Sequence, residues 1–407
     1  MSTTLVYNPY AYDIHDDPYP TYARMRDEAP VYRNDEMGFW ALSRHADVVA
    51  AFRDSARFSS GHGVSLDPVV WGPNAHRTMS FLGMDPPRHG RMRGLVSRGF
   101  TPRRVVDLEP RIRELACTYL DATVEAGELD FIRDFAGKLP MDVVSELIGV
   151  PEADRAELRR LSDLLVHRDE GVHDLTPAGA EAALTLVAYY SDMLAERRAR
   201  PTHDLTSALL DAEIEGDRLD DDEIIGFLFL MVVAGNETTT KLLGNAWYWG
   251  RVNPDQGAKP FADPTRIPAW IEETLRYDTS SHVLARITTE PVELHGCTIG
   301  EAEQVVLLPG SANRDERVFP DADRYDLDRP EQQHQLASFG FGRHFCLGAS
   351  LARLEARVAL EEVVKRVASY DVDTAAAVRV HSANVRGFAS LPSTVTRRTR
   401  AGSGGAG

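Results

Sequence analysis

Between Pro102 and about Leu210, leucine, isoleucine and valine return every three or four residues, with charged residues between them. That interval lays apolar side chains along one face of successive helices and predicts a mostly helical architecture. The helices are punctuated by "LP" at 139–140 and "VPEAD" at 150–154. The stretch 166–180, "VHRDEGVHDLTPAGA", loses the interval and reads as a mobile connection. Asp220 to Gly250 reads as one long helix whose start carries Asp220, Asp221, Asp222 and Glu223, where negative charge suits the helix dipole. Strands are few. "VYRNDEMGFWALS" predicts a hairpin around Gly38, and "VELHGCTI" and "QVVLLPG" predict short strands. A polar, irregular region covers Asn313 to His334, a last helix is expected from Cys346 to Tyr370, and there is no internal repeat. The fold class is mainly α with small β sheets.

Composition narrows the function classes. The formal net charge is −17, the wrong sign for sequence-independent nucleic-acid binding. Cys117, Cys297 and Cys346 are an odd, widely spaced set without CxxC, which fits a reducing compartment and excludes a disulfide framework. The N-terminus has no basic region followed by an apolar core, so no signal peptide is expected. The longest apolar run, Ile224 to Ala234, has eleven residues against the ~20 that a membrane-spanning helix needs. The expectation is a cytoplasmic protein with no membrane and no nucleic-acid partner. The final residues, 394–407, read as a flexible tail. They spell GxGxxG from Gly402 to Gly407, with no strand before and no helix after, so this is not a dinucleotide loop.

Four sites carry candidate chemistry. In "SFGFGRHFCLGASLARLEA", Ser338 to Ala356, Leu347, Leu351, Leu354 and Val358 define one helix face, which places Cys346 at the helix N-terminus. A thiolate is favoured there. Gly340, Gly342 and Gly348 allow sharp bends and close approach to something flat and bulky, and His344 can donate to an anionic group beside the cysteine. Together these suggest a thiolate metal ligand in a loop shaped for a planar cofactor. A buried free cysteine beside a helix cap is the plainer alternative.

The second site is "FLFLMVVAGNETTTKLL", where an apolar run meets Asn236, Glu237, Thr238, Thr239 and Thr240. Unpaired polar groups buried mid-helix cost roughly 2–7 kcal/mol each. Thr238 can bond back to the carbonyl of Ala234 and bend the helix, and Gly235 brings no side chain to fill the groove. An acid–alcohol pair beside a widened groove suits proton delivery to a small polar ligand, whereas a surface helix would leave these residues merely solvated. The third site is "EETLRY": Glu273 and Arg276 lie one turn apart, a spacing repeated from Glu152, Glu157 and Glu215. The fourth is a scatter of cationic donors, His89, Arg93 and Arg286, each of which alone reads as surface charge.

As a set these residues resemble the cytochrome P-450 family, in its soluble bacterial branch, over about Asp17 to Pro392. Phe339-x-x-Gly342-x-x-x-Cys346-x-Gly348 resembles that family's haem-binding signature. Ala234-Gly235-Asn236-Glu237-Thr238-Thr239 resembles its oxygen-binding helix motif, and Glu273 with Arg276 matches its ExxR. The resemblance implies a triangular single domain over 1–393 holding haem b (iron protoporphyrin IX). It makes Cys346 the axial iron ligand and gives the propionates to His89, Arg93, Arg286 and His344. Phe339, Gly340 and Gly348 would shape the haem loop, Ala234 and Gly235 the oxygen groove. Glu237 and Thr238 would deliver protons, and Glu273, Arg276 and the segment around Arg329 would brace the loop. Gly300-Glu301-Ala302 and Glu316 depart from the family's pattern, away from the iron site.

The implied activity is insertion of one oxygen atom from O2 into a hydrophobic small molecule, by hydroxylation or epoxidation. Electrons would come from a separate ferredoxin and ferredoxin reductase. A peroxide-driven haem-thiolate enzyme and a non-catalytic haem sensor are the alternatives. Arg343, Arg353 and Arg357 flank the cysteine and offer a basic docking patch, or are ordinary helix-surface charges. Leu230, Val233, Val283, Leu284 and Phe388, with the stretches 59–72 and 166–180, are the expected pocket. Steroid, terpenoid, fatty acid and polyketide substrates all remain compatible, free or carrier-tethered.

Overall fold

A computed structural model describes residues 5–169, 172, 174–330 and 333–398. Eight helices and eight strands position the site. The helices are α1 (Arg88–Gly99), α2 (Glu109–Ala126), α3 (Leu139–Ile148), α4 (Glu152–Val166), α5 (Pro177–Ala199), α6 (Asp221–Val252), α7 (Ile267–Tyr277) and α8 (Ala349–Arg366). The strands are β1 (Val31–Asn34), β2 (Phe39–Leu42), β3 (Phe58–Ser59), β4 (Glu128–Asp130), β5 (Leu284–Thr288), β6 (Gln304–Leu307), β7 (Val367–Val372) and β8 (Pro392–Arg397). One sheet runs β1-β2-β6-β5-β3 and another β7-β8-β4. The fold is mainly helical with small sheets, as the apolar intervals predict.

Helix α6 is the axis of the molecule. Its 32 residues span about 48 Å at 1.5 Å per residue. A capping box opens it: Asp220 accepts from the Glu223 amide at 2.8 Å, and Glu223 accepts from the Asp220 amide at 3.2 Å. Helices α3, α4, α5, α7 and α8 pack around it. Their buried faces join in the main hydrophobic core, which includes Leu186, Phe227, Trp247, Trp270 and Leu360. The hairpin forms as expected, with Gly38 at φ +73° in its turn. Among the described residues, no helix is long and apolar enough to cross a membrane.

Three sequence expectations need correction. The last helix runs from Ala349 to Arg366, not Cys346 to Tyr370, because "VASYDV" pairs as β7 with β8. Residues 394–397 are the end of β8 rather than tail, paired with β7, and Thr394 also pairs with β4. Residues 399–407, with the GxGxxG, lie outside the described residues. The break between α4 and α5 exists, but Arg168 within it is anchored. Its guanidinium pairs with Asp67 at 2.8 Å with both side chains buried, and its amide donates to the His381 carbonyl at 3.1 Å. Residues 170, 171 and 173 of that break lie outside the described residues.

A buried polar lattice joins α7 to the irregular region. Arg276 donates to both oxygens of Glu273, at 2.8 and 2.7 Å, and to the carbonyls of Asn313, Ala322 and Arg324. Glu273 also accepts from the Asp326 amide at 2.9 Å and lies 3.4 Å from the Arg329 guanidinium. The two side chains of the Glu273–Arg276 pair are 4% and 2% exposed. The equally spaced Glu157–Arg160 pair is 55% and 59% exposed, so burial, not spacing, separates a lattice from a surface pair. Glu316, one of the departures, pairs with buried Arg26 at 3.2 Å.

Candidate active site

The loop before α8 is built by the same lattice. Asn313 accepts from the Ala337 amide at 2.7 Å and donates to the Ser338 hydroxyl at 2.8 Å, and that hydroxyl donates to the Leu275 carbonyl at 2.7 Å. Downstream, Gly342 has φ +70°, and a Cβ there would sit 3.0 Å from the Phe52 carbonyl and 3.1 Å from the Arg53 Cα. Only glycine meets both demands. The Cys346 amide donates to the Phe339 carbonyl at 2.9 Å, closing the loop.

Cys346 is exposed by surface area, and it lines a cavity of about 240 Å3. Its accessible surface therefore faces the cavity, and burial pushes the thiol pKa up. The Gly348 amide, then Arg93, Arg353 and the Ala349 amide, oppose that shift. The expectation of a cysteine within the helix N-terminus is corrected: α8 starts three residues later, and the first turn's amides reach back to the sulfur.

Phe339, Gly340, His344 and Gly348 line the cavity on the loop side, as do Leu230, Ala234, Gly235 and Thr238 on α6. Leu284 and Arg286 enter from β5. The Thr238 hydroxyl donates to the Ala234 carbonyl at 2.8 Å, the back-bond that the sequence suggests. Glu237 does not share this wall. It is 2% exposed on the helix flank, 3.0 Å from the ammonium of Lys241, itself 5% exposed, and it accepts from Asn236 at 3.3 Å.

The cationic donors gather at one edge of the cavity. The His89 and His344 rings lie 4.2 Å apart between centroids. Nε2 of His89 and both ring nitrogens of His344 are buried without hydrogen-bond partners. Burial, then Arg286, holds His344 down at about 2, and burial, then Arg93, lowers His89. Arg286 is lowered to about 10 by burial, with Asp85 alone opposing. Arg93 donates to the carbonyls of Arg343 and Phe345 at 3.1 and 2.6 Å. Two guanidiniums and two unsatisfied imidazoles, none ion-paired to a carboxylate, suit an anionic guest with more than one carboxylate. With a cysteine sulfur, glycine-shaped walls and apolar lining, the donor set fits haem.

Several expected pocket residues lie elsewhere. Val283 turns to the opposite face of its strand region, into a cluster with Tyr7 and Val306. Phe388 lies under the Arg379 guanidinium, 3.9 Å from its ring centroid, and against Tyr248. Val233 packs against the main core, off the cavity wall. Of the stretch 59–72 only Val64 reaches the wall, and none of the described residues of 166–180 does. Arg353 and Arg357 are tied to Glu272, and to Glu109 and Glu361, which leaves Arg343 as the unpaired member of the basic trio. Sequence reasoning missed Phe81, Phe227 and Glu355, all in the wall. The helical intervals from Leu230 and from Leu351 would have indicated Phe227 and Glu355.

Comparison with known proteins agrees with this site. Residues 266–388 match the family model described as cytochrome P-450. A Mycobacterium tuberculosis protein described as cytochrome P-450 123 is 58% identical over 394 residues, covering 97% of this chain and 98% of the relative. The erythromycin C-12 hydroxylase of Saccharopolyspora erythraea is 41% identical over 356 residues, covering 86% and 87%. The solved cytochrome P-450 CYP109Q5 of Chondromyces apiculatus superposes with a TM-score of 0.86 at 34% identity, covering 96% of this chain and 98% of that one. The chain therefore belongs to the cytochrome P-450 family, haem-iron monooxygenases that act with O2 and redox partners.

Proposed function

We propose that this chain is a cytoplasmic, single-domain monooxygenase that binds haem b and inserts one oxygen atom into a hydrophobic small molecule. The observation that carries the reading is one largely apolar cavity with the Cys346 sulfur, the Thr238 groove, Arg286 and the unpartnered His344 ring on its walls. When bound, thiolate-ligated haem iron supplies oxygen activation, placing one atom of O2 in a C–H or C=C bond and releasing the other as water.

The chain's own residues do the rest. Cys346 would hold the iron as its thiolate, a charge that the Gly348 and Ala349 amides would stabilise. His89, Arg93, Arg286 and His344 would hold the propionates. The two imidazoles would then gain the partners that they lack, and both guanidiniums counter-charge. Phe339 and Gly340 support the loop face. On the opposite wall, the Thr238 hydroxyl commits its proton to the Ala234 carbonyl, so its oxygen is free to accept a hydrogen bond from a group in the cavity beside Gly235. Glu237 supplies protons to that groove from the flank of α6 once it leaves Lys241. Glu273, Arg276 and Arg329 hold the loop in register.

Leu230, Leu284, Phe81 and Phe227 support an apolar substrate. The hydroxylation of a macrolide named for one relative makes polyketides the first class to screen. Electrons come from a ferredoxin and its reductase, with Arg343 and Phe345, 43% exposed beside the ligand, as the contact. The test is spectral. The reduced protein with carbon monoxide should absorb near the wavelength that gave these pigments their name. Cys346→Ser should lose that band while staying folded and haem-loaded; a Cys346→Ser protein that keeps it rules the ligand assignment out.

A further inference from the structure

Among the described residues, Glu355 is the only carboxyl in the cavity wall. It shares one face of α8 with Leu351 and Ala352, about 9 Å along the axis from the helix start at Ala349. The residue is 3% exposed, and its Oε2 is buried without a hydrogen-bond partner. Helix α8 packs against α2, α6, α7, β7 and a short helix, Pro102–Asp107. The charges on these elements are committed elsewhere. On α8 itself Arg353 pairs with Glu272 of α7, and Arg357 with Glu109 and Glu361. Arg113 of α2 serves Glu109, Glu361 and Glu362. Glu237 and Lys241 of α6 pair with each other, as do Glu273 and Arg276 of α7. Asp371 of β7 pairs with Arg251, and Arg103, Arg104 and Asp107 of the short helix are exposed. The ionisable groups that share the wall with Glu355 are Arg286, His344 and Cys346. A carboxylate here would be a buried charge without a partner, so the neutral acid is favoured. Burial alone holds the Glu355 carboxyl well above the usual carboxylate range.

We propose that Glu355 is a redox-linked proton site, binding one proton when the cysteine-held iron gains one electron and releasing it when the electron leaves. This rests on the haem and Cys346 assignments proposed above. The step is balanced: the reductant supplies the electron to the iron, solvent supplies the proton, and a Glu355 Oε–H bond forms; oxidation reverses both. The electron adds one negative charge to the cavity, and Glu355 has no cation of its own to offset it. For charges on the order of 10 Å apart at an effective dielectric of about 20, that charge raises proton affinity roughly tenfold. The direction follows. At low pH the acid is protonated in both iron states, and the reduction potential is flat. As pH rises through the oxidised-state value of the carboxyl, reduction must bring a proton with it, and the potential falls. Above the reduced-state value the acid is ionised in both states and the potential is flat again.

The haem-loaded protein, without substrate or partner, is titrated with dithionite and mediator dyes from about pH 5 to pH 10, and the iron potential is read from the absorption spectrum. The reduced-minus-oxidised infrared spectrum is taken at each pH. Wild type should show one step, a fall of about 59 mV in all for a tenfold change in affinity. Within the step, a protonated-carboxyl band should grow on reduction. Glu355→Gln keeps the shape and the neutral state, so it should hold the low-pH potential throughout and lack the redox-linked band. Glu355→Asp keeps an acid and should keep a step, displaced in pH. A Glu355→Gln protein with the wild-type step and band overturns the proposal. So does a wild type whose carboxyl bands do not change on reduction at any pH, a result that needs no variant. The carbon monoxide band of each sample separates the two claims. Its absence from loaded wild type refutes the Cys346 assignment and this proposal with it; its presence beside an unchanged step in Glu355→Gln refutes the role of Glu355 alone.

Discussion

Replacing Arg276 by leucine tests the lattice beneath the cysteine loop. Arg276 is 2% exposed and makes five hydrogen bonds: two to Glu273 and three to the carbonyls of Asn313, Ala322 and Arg324. Leucine removes all five and leaves Glu273 buried with a single, longer ion contact to Arg329 at 3.4 Å. Breaking a buried pair from one side costs about 3–5 kcal/mol, against a total stability of about 5–15 kcal/mol. Asn313 would also lose its clamp, and Asn313 holds Ala337 and Ser338 at the start of the haem loop. Arg276→Leu should therefore lose about 3–5 kcal/mol in urea unfolding followed by circular dichroism at fixed haem concentration, since bound ligand adds to apparent stability. Arg276→Lys keeps the charge but not the fork, and should recover less than half of that loss. A loss below about 1 kcal/mol for the leucine variant would mean that the lattice does not brace the loop.

Two further outcomes follow from the geometry. Gly342→Ala must adopt φ +70° and push against the Phe52 carbonyl, costing about 1–3 kcal/mol, visible as weaker haem retention in an apomyoglobin transfer assay. His282 is held neutral, at about 3, by burial first and then by Arg386. Its folded value lies below its unfolded value of about 6.5, so its stabilisation is full above that pH and is lost as pH falls through the window down to about 3. His282→Asn should flatten the stability–pH slope between about pH 4 and pH 6.5 by up to about 1.4 kcal/mol per pH unit; an unchanged slope would refute the buried neutral assignment.

The long helix and the cysteine loop are legible in the sequence because their signals are local: an acidic first turn, an apolar interval and glycines at strained turns. The pocket is less so. Val283 and Leu284 look alike in sequence, but neighbours along an extended chain face opposite sides, so only one can line the cavity. The same reasoning on a helix separates Val233 from Ala234, and Glu237 from Thr238. Phe388 is claimed by a guanidinium at 3.9 Å, a partner far away in sequence. The meeting of Asp67 with Arg168 likewise depends on tertiary packing, which no local pattern encodes.

The three-stranded sheet carries a consequence for biogenesis. Its middle strand, Pro392–Arg397, is translated after both flanking strands, the earlier of which is Glu128–Asp130. On the ribosome, those two edges wait with open backbone groups while the rest of the molecule emerges. Closure there waits for this last strand, and shortening the chain within it would leave two unpaired edges, a template for aggregation.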